Sequence, residues 1–212
     1  MQEHIQSTRR RGRPPRSRDD LIDARQLILR AGLALLTEKG FSATGLEEIL
    51  SLANTPRGSF YHYFSSKEAF GLSLIEHYGD FFSRRLDRFL DDSSLSPLNR
   101  IHAFVKDSKT GMARHHFRRG CLIGNLGQEM GSLPESFRRK LKHTFETWQA
   151  RFSACLKQAQ QEGEIAASVN TDQLAAFFWI GWEGAVLRSK LERSVEPLEI
   201  FERFFFAQLP HG

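Results

Sequence analysis

Three clusters of residues in this 212-residue chain have the types and spacing for chemistry. The first is Arg57-Gly58-Ser59-Phe60-Tyr61-His62-Tyr63-Phe64, followed by Lys67. Small residues at its start leave a helical backbone slim enough to enter the major groove of double-stranded DNA, about 12 Å wide. Arg57 suits guanine or phosphate, and Tyr61, His62 and Tyr63 place further polar groups in the next turn. Lys67 sits where an ammonium and free backbone N–H groups can share one phosphate. The second cluster is the arginine run of residues 1–18. Six arginines against one acid, Glu3, give +5 there, equal to the formal net charge of the whole chain, so the other residues balance. A basic arm on a neutral body calls for a polyanion. Within the arm, Arg11-Gly12-Arg13-Pro14 is narrow enough for Arg11 and Arg13 to enter an A·T-rich minor groove; phosphate contact alone is the plainer alternative.

The third cluster is Cys121, which follows Arg118-Arg119-Gly120 and opens a short helical run. A thiol at a helix start beside arginines is expected to have a lowered pKa and more of the nucleophilic thiolate. The alternative is a small buried hydrophobe, the usual fate of a free cysteine. Cys155 lies inside an amphipathic pattern and reads as packing. Catalysis finds little support, because Cys121 with His115 or His116 has no third orienting residue and no oxyanion site. Adjacent histidines point apart on a helix, so the same residues with Glu129 do not make a zinc site. No enzyme, cofactor or metal is expected.

Elements that position these groups follow from periodicity. Leu46, Ile49, Leu50 and Ala53 form one stripe of a two-turn helix, with Thr44 as its N-cap. Asn54 tolerates the left-handed backbone that ends it, and Pro56 suits the first turn of the next helix. Helix, tight turn, helix is a DNA-binding helix-turn-helix. Upstream, Ala24, Leu27, Ile28, Ala31, Leu35 and Leu36 form the apolar face of a helix from Asp19 that stops at Gly40. Phe60 and Phe64 face inward against Leu46 and Ile49. Ser65-Ser66-Lys67-Glu68 has the form of a capping box and opens a long helix to about Leu90. Helical segments are expected at about 97–114, 121–130, 134–162, 171–192 and 197–208, and no segment alternates as a strand would. Eighteen phenylalanines suggest a roomy, aromatic-lined interior. No apolar run approaches the ~20 residues of a bilayer span, and the arginine-rich start has no apolar segment behind it. With only two cysteines, the expected compartment is the cytoplasm, without membrane.

Thr44–Phe64 with Ser66-Lys67-Glu68 resembles the signature of TetR-family transcriptional repressors, although Asn54-Thr55 stands where that family usually has glycine and an apolar residue. The resemblance implies about nine helices, a homodimer held by the last two long ones, and a small-molecule effector pocket. The fold class is therefore all-α: an N-terminal three-helix helix-turn-helix domain plus a C-terminal helical ligand-binding and dimerisation domain. The boundaries are 1–18 for a disordered basic arm, 19–66 for the DNA-binding domain and 67–212 for the rest. Arg11, Arg13, Thr44, Arg57, Gly58, Ser59, Tyr61, His62, Tyr63 and Lys67 form the candidate DNA-contacting set, and the partner is a double-stranded operator.

In the C-terminal part, Leu174 to Ile180 is apolar all round, so both core and partner must cover it. Gly181, Gly184 and Ala185 offer a small-residue face, and Phe201, Phe204, Phe205 and Phe206 add apolar surface for a four-helix interface. Gly111–His115, Arg118–Gly131, Thr147–Gln149 and Phe178–Arg188 resemble acrylate-responsive AcuR-type repressors. The Gly-Cys-Leu pattern is similar to that of NemR-type repressors, which sense electrophiles through cysteine. Cys121, Asn125, Trp148, Trp179 and Trp182 are the candidate effector residues, for an acrylate-like or other electrophilic compound. Two alternatives stay open: a non-covalent effector with a structural Cys121, and an architectural binder of A·T-rich DNA.

Overall fold

The computed structural model describes the backbone of residues 18–210 and the side chains of residues 24–210; Arg11 and Arg13 lie outside them. Among the described residues the chain forms nine helices and no strand. They are α1 (Arg18–Lys39), α2 (Leu46–Leu52), α3 (Arg57–Tyr63), α4 (Lys67–Leu90), α5 (Pro97–Arg114), α6 (Leu122–Gln128), α7 (Glu135–Gln161), α8 (Thr171–Glu192) and α9 (Glu196–Ala207). The all-α expectation holds, and no described helix is long and apolar enough to cross a membrane.

Helices α1 to α3 pack as a small triangle. Ile49, Leu50 and Ala53 of the α2 stripe are buried, as are Ile28, Ala31 and Leu36 of α1. Leu27, expected on that face, points outward, and Leu29 takes a core position instead. The α1 face is thus rotated from the sequence reading, because α1 also leans on α4 and α6. Phe60 and Phe64 are buried, with ring centroids 5.5 and 5.1 Å from Phe70 at the start of α4. Phe70 of α4 thus packs against both rings, which also meet each other at 5.2 Å. Burying one such ring is worth about 1.5–3 kcal/mol.

Two capping expectations need correction. The N-cap of α2 is Gly45; Thr44 is buried and its hydroxyl donates to the Gly40 carbonyl at 2.6 Å. That bond closes the α1–α2 turn, which Gly40 enters with φ 88°, a left-handed backbone that suits glycine. The cap of α4 is Ser66, which accepts from the Ala69 N–H at 3.0 Å, so Glu68 falls one position short of a reciprocal box. Asn54 does end α2 in the left-handed region, at φ 46°.

Helix α4 is the spine of the remainder and packs against α5, α6 and α7, while α7 carries α8 and α8 carries α9. The interior between them is filled rather than roomy. Phe82 and Trp148 have ring centroids 4.3 Å apart, Trp148 and Trp179 5.3 Å, and Phe152 and Phe178 4.1 Å. Interlocked aromatic rings fill this stack, and a cavity described below opens at its edge.

Candidate functional site

The first part of the site is the surface of α3. Arg57, Gly58, Tyr61 and His62 are exposed, and Ser59 and Tyr63 are half-buried. A Cβ added at Gly58 would meet nothing within 4 Å, so this end of the helix has open space around it. Arg57 donates to Glu47 at 2.7 Å, and its guanidinium lies 5.8 Å from the centroid of the Tyr61 ring. The hydrogen bond with Tyr61, then Glu47, hold its pKa above the usual arginine range. The cation is thereby presented on the outer face rather than buried.

Lys67 is arranged differently from the sequence reading. Its ammonium donates to the Phe41 carbonyl at 2.8 Å and sits 4.4 Å from the Phe41 ring centroid, and burial lowers its pKa. In this conformation it ties the α1–α2 turn to α4. Thr44, enclosed as described above, presents no side-chain surface to DNA.

The second part is a cavity of about 210 Å³ at the edge of the aromatic stack. Helix α4 lines it with Tyr78, Phe82 and Arg85, α5 with Ser108 and Met112, and α8 with Trp182, Glu183 and Val186. The α5–α6 loop supplies His115, Arg119, Gly120 and Cys121. That loop reverses through two consecutive left-handed residues, His116 at φ 50° and Phe117 at φ 54°. Each costs about 1–2 kcal/mol relative to an ordinary backbone, so the turn is held by its packing. A neighbouring cavity of about 230 Å³ shares Tyr78, His115, Arg119 and Gly120 and reaches α1 at Arg30, Leu33, Ala34 and Thr37.

Of the five candidate effector residues, Cys121 and Trp182 line the first cavity. Trp148 and Trp179 are core residues that do not reach it. Asn125 turns the other way: its amide donates to the Thr37 carbonyl at 2.7 Å and to the Leu36 carbonyl at 3.4 Å. The expected low pKa of Cys121 is overturned. Burial pushes the thiol well above its usual value, and the nearby Glu183 carboxylate adds to the effect. The arginines adjacent in sequence do not help, since Arg118 is exposed and Arg119 lies 3.9 Å from Glu38.

Sequence reading missed Glu183. Its Oε1 is sealed from solvent without a hydrogen-bond partner, its carboxyl lies beside the Cys121 thiol, and burial raises its pKa to about 7. The available signal was one acid in the apolar run Phe177 to Leu187. Also missed was a set of ties spaced every fourth residue along α6. Cys121 borders the cavity, Asn125 grips α1, and Glu129 accepts from the Phe41 and Ser42 N–H groups at 2.8 Å each. Lys190 of α8 joins it, donating to the Thr37 carbonyl at 3.1 Å and to Asn125 at 3.2 Å.

Residues 28–73 match the family described as bacterial regulatory proteins, tetR family, and residues 97–205 match the tetracyclin repressor-like C-terminal domain. The chain is 54% identical over 196 residues to transcriptional regulator AcuR of Cereibacter sphaeroides, spanning 92% of this chain and 89% of that protein. It is 33% identical over 177 residues to HTH-type transcriptional repressor NemR of Escherichia coli, spanning 84% and 89%. A crystal structure of regulatory protein TetR from Rhodobacter sphaeroides matches with a TM-score of 0.87 at 53% identity, covering 88% of this chain and 98% of that one. An exposed third helix, family matches over residues 28–73 and 97–205 and a shared all-helical fold lead to one conclusion: the chain belongs to the TetR family of DNA-binding transcriptional regulators.

Proposed function

We propose that the protein is a repressor that binds a palindromic operator as a homodimer and leaves it when a small electrophile of the acrylate type occupies the cavity beside Cys121. One observation carries this reading: a single face of α6 and its caps borders the cavity at Cys121, holds the last turn of α1 through Asn125 and holds the α1–α2 turn through Glu129. Displacing α6 to admit a ligand loosens the seat of the helix-turn-helix, which makes ligand and operator compete for one conformational equilibrium. The cavity volume lies below the roughly 300–1,000 Å³ of pockets for drug-sized ligands, which favours an effector of few heavy atoms. In this proposal residues 1–18 are a DNA-contacting arm, 19–66 the DNA-binding unit and 67–212 the ligand-binding and dimerisation unit. Tyr61, His62 and Arg57 contact bases or phosphate.

A second reading, a non-covalent effector with Cys121 as a structural residue, is favoured by the raised thiol pKa alone. Footprinting on the region upstream of the neighbouring genes tests the operator: a palindromic protected site is expected, and diffuse A·T coverage would show an architectural binder instead. A mobility-shift assay with acrylate, aldehydes and quinones then separates the two effector readings. Cys121→Ser blunts release if the thiol reacts and leaves it unchanged if recognition is non-covalent.

A further inference from the structure

Cys121 and Glu183 meet in the cavity from different elements, the α5–α6 loop and the middle of α8. Glu183 presses so closely on Gly124 that a Cβ there would collide with its carboxylate, so α6 fits around the acid. The acid occupies an apolar stretch between Trp182 and Val186, where an isolated carboxylate is expensive to bury. No cation is paired with it among the described residues, and Oε1 has no partner at all. What lies beside its carboxyl instead is a thiol, the weakest donor among the neutral side chains. A buried acid held this way is poorly explained by stability.

The thiol has the complementary problem. Half-buried beside an acid, with its pKa pushed well above the usual value, it needs a base at the moment of reaction. We propose that Glu183 is the proton-transfer partner of Cys121: its carboxylate takes the thiol proton as sulfur adds to the β-carbon of a small α,β-unsaturated carbonyl compound in the cavity, then returns it to the α-carbon. The S–H bond and the C=C bond are consumed, one C–S and one C–H bond form, and nothing leaves. The product is a thioether bearing a saturated carbonyl group, and Glu183 ends as it began. The negative charge that develops on the carbonyl oxygen arises in a cavity lined by Arg85, which is paired with Asp107, and by Arg119, which lies 3.9 Å from Glu38. This inference rests on the reading that the effector adds to Cys121.

The groups facing the pair are Tyr78 of α4 beside Cys121, Arg85 (itself paired with Asp107), Arg119 and His115 around the cavity, and Lys190 of α8, whose ammonium interacts electrostatically with the thiol. Because burial raises the Glu183 carboxyl to about 7, its basic form appears near neutral pH, well below the titration of the buried thiol.

The test uses the full chain with acrylamide as probe, and intact-mass and peptide mass spectrometry to follow adduct formation at Cys121 from pH 5.5 to 9. The wild-type rate is expected to rise with a midpoint near 7 and then level off. Glu183→Gln is expected to lower the rate at neutral pH at least tenfold and to move the rise to alkaline pH, where the thiol ionises unaided. Glu183→Asp is expected to restore part of the rate. Equal rates for wild type and Glu183→Gln at every pH would overturn the role of Glu183 while leaving an electrophile-sensing Cys121 intact. No Cys121 adduct in the wild type at any pH would remove the electrophile reading and this proposal with it. Circular dichroism reports whether Glu183→Gln folds. If it does not, the wild-type profile decides, and a rise found only in the alkaline range rejects the proposal.

Discussion

Glu183 couples the stability of the fold to pH as well as facing the cavity. Its carboxyl is raised from 4.5 to about 7 by burial, so between those values the native chain keeps a proton that the unfolded chain has lost. Stability contributed by this residue is full below pH 4.5, falls as pH rises to about 7, and stays low above that. At about 1.36 kcal/mol per unit the loss reaches roughly 3 kcal/mol at most. Glu183→Gln is therefore expected to flatten the decline in denaturant-measured stability between pH 5 and 7. An unaltered slope in urea titrations would show that another group sets it. Glu183 was visible in the sequence as an acid in an apolar run. Its pairing with Cys121 was not, because the two are 62 positions apart and meet only when α6 packs beside α8.

At the scale of elements, α6 is too short to persist alone and is defined by what it grips. Glu129 binds two backbone N–H groups of the α1–α2 turn, and Gly40 leaves room for that carboxylate. Glu129→Ala removes two charge-assisted hydrogen bonds, with an expected cost of about 1–3 kcal/mol. Gly40→Ala places a methyl group on the Glu129 carboxylate at a backbone φ of 88°, and should cost at least as much. Both variants are expected to melt several degrees lower, at about 2–4 °C per kcal/mol for a chain of this size. Their operator affinity should also become less sensitive to effector. Calorimetry beside mobility shifts with and without effector would check this, and a normal effector response in Glu129→Ala would discard α6 as the link. Helix limits were readable from periodicity to within a residue or two. The face of α1 and the cap of α4 were not, since neighbours from α4 and α6 chose among nearly equivalent positions.

For the whole molecule, the proposed dimer turns on α8. Phe177, Ile180, Gly184, Leu187 and Leu191 follow a three-four spacing along one outer face, with Ile180 and Leu191 each 75% exposed and Phe177 52%. Such a seam suits close packing against a second helix. The apolar run splits between two roles: Ala175, Phe178 and Trp179 are buried, and Gly181 is covered by Phe201 of α9. Of the four phenylalanines in α9, Phe204 is the exposed one, at 53%. Ile180→Glu is expected to give a monomer by light scattering and to weaken operator binding more than tenfold, because each half-site is then bound separately. A dimer surviving that charge would place the interface elsewhere. Deleting residues 1–18 is expected to flatten the dependence of log affinity on log salt by about 0.9 for each phosphate that the arm had neutralised. An unchanged slope in titrations at several salt concentrations would show that the arm does not touch DNA.

The sequence by itself determined the helical class, the helix-turn-helix and the family. These are local matters: periodic apolar stripes, a left-handed Asn54 and a run of residue types that carries the family's signature within two turns. Tertiary structure decided what Cys121 is. Neighbouring arginines promised a thiolate, and packing set the thiol half-buried beside an acid instead, because electrostatic environment depends on distance through space and on access of water. It also separated three similar tryptophans into one cavity wall and two core residues, and turned Asn125 from a ligand contact into a tie to α1. Such differences depend on which helix lies opposite, and no window of sequence contains that information.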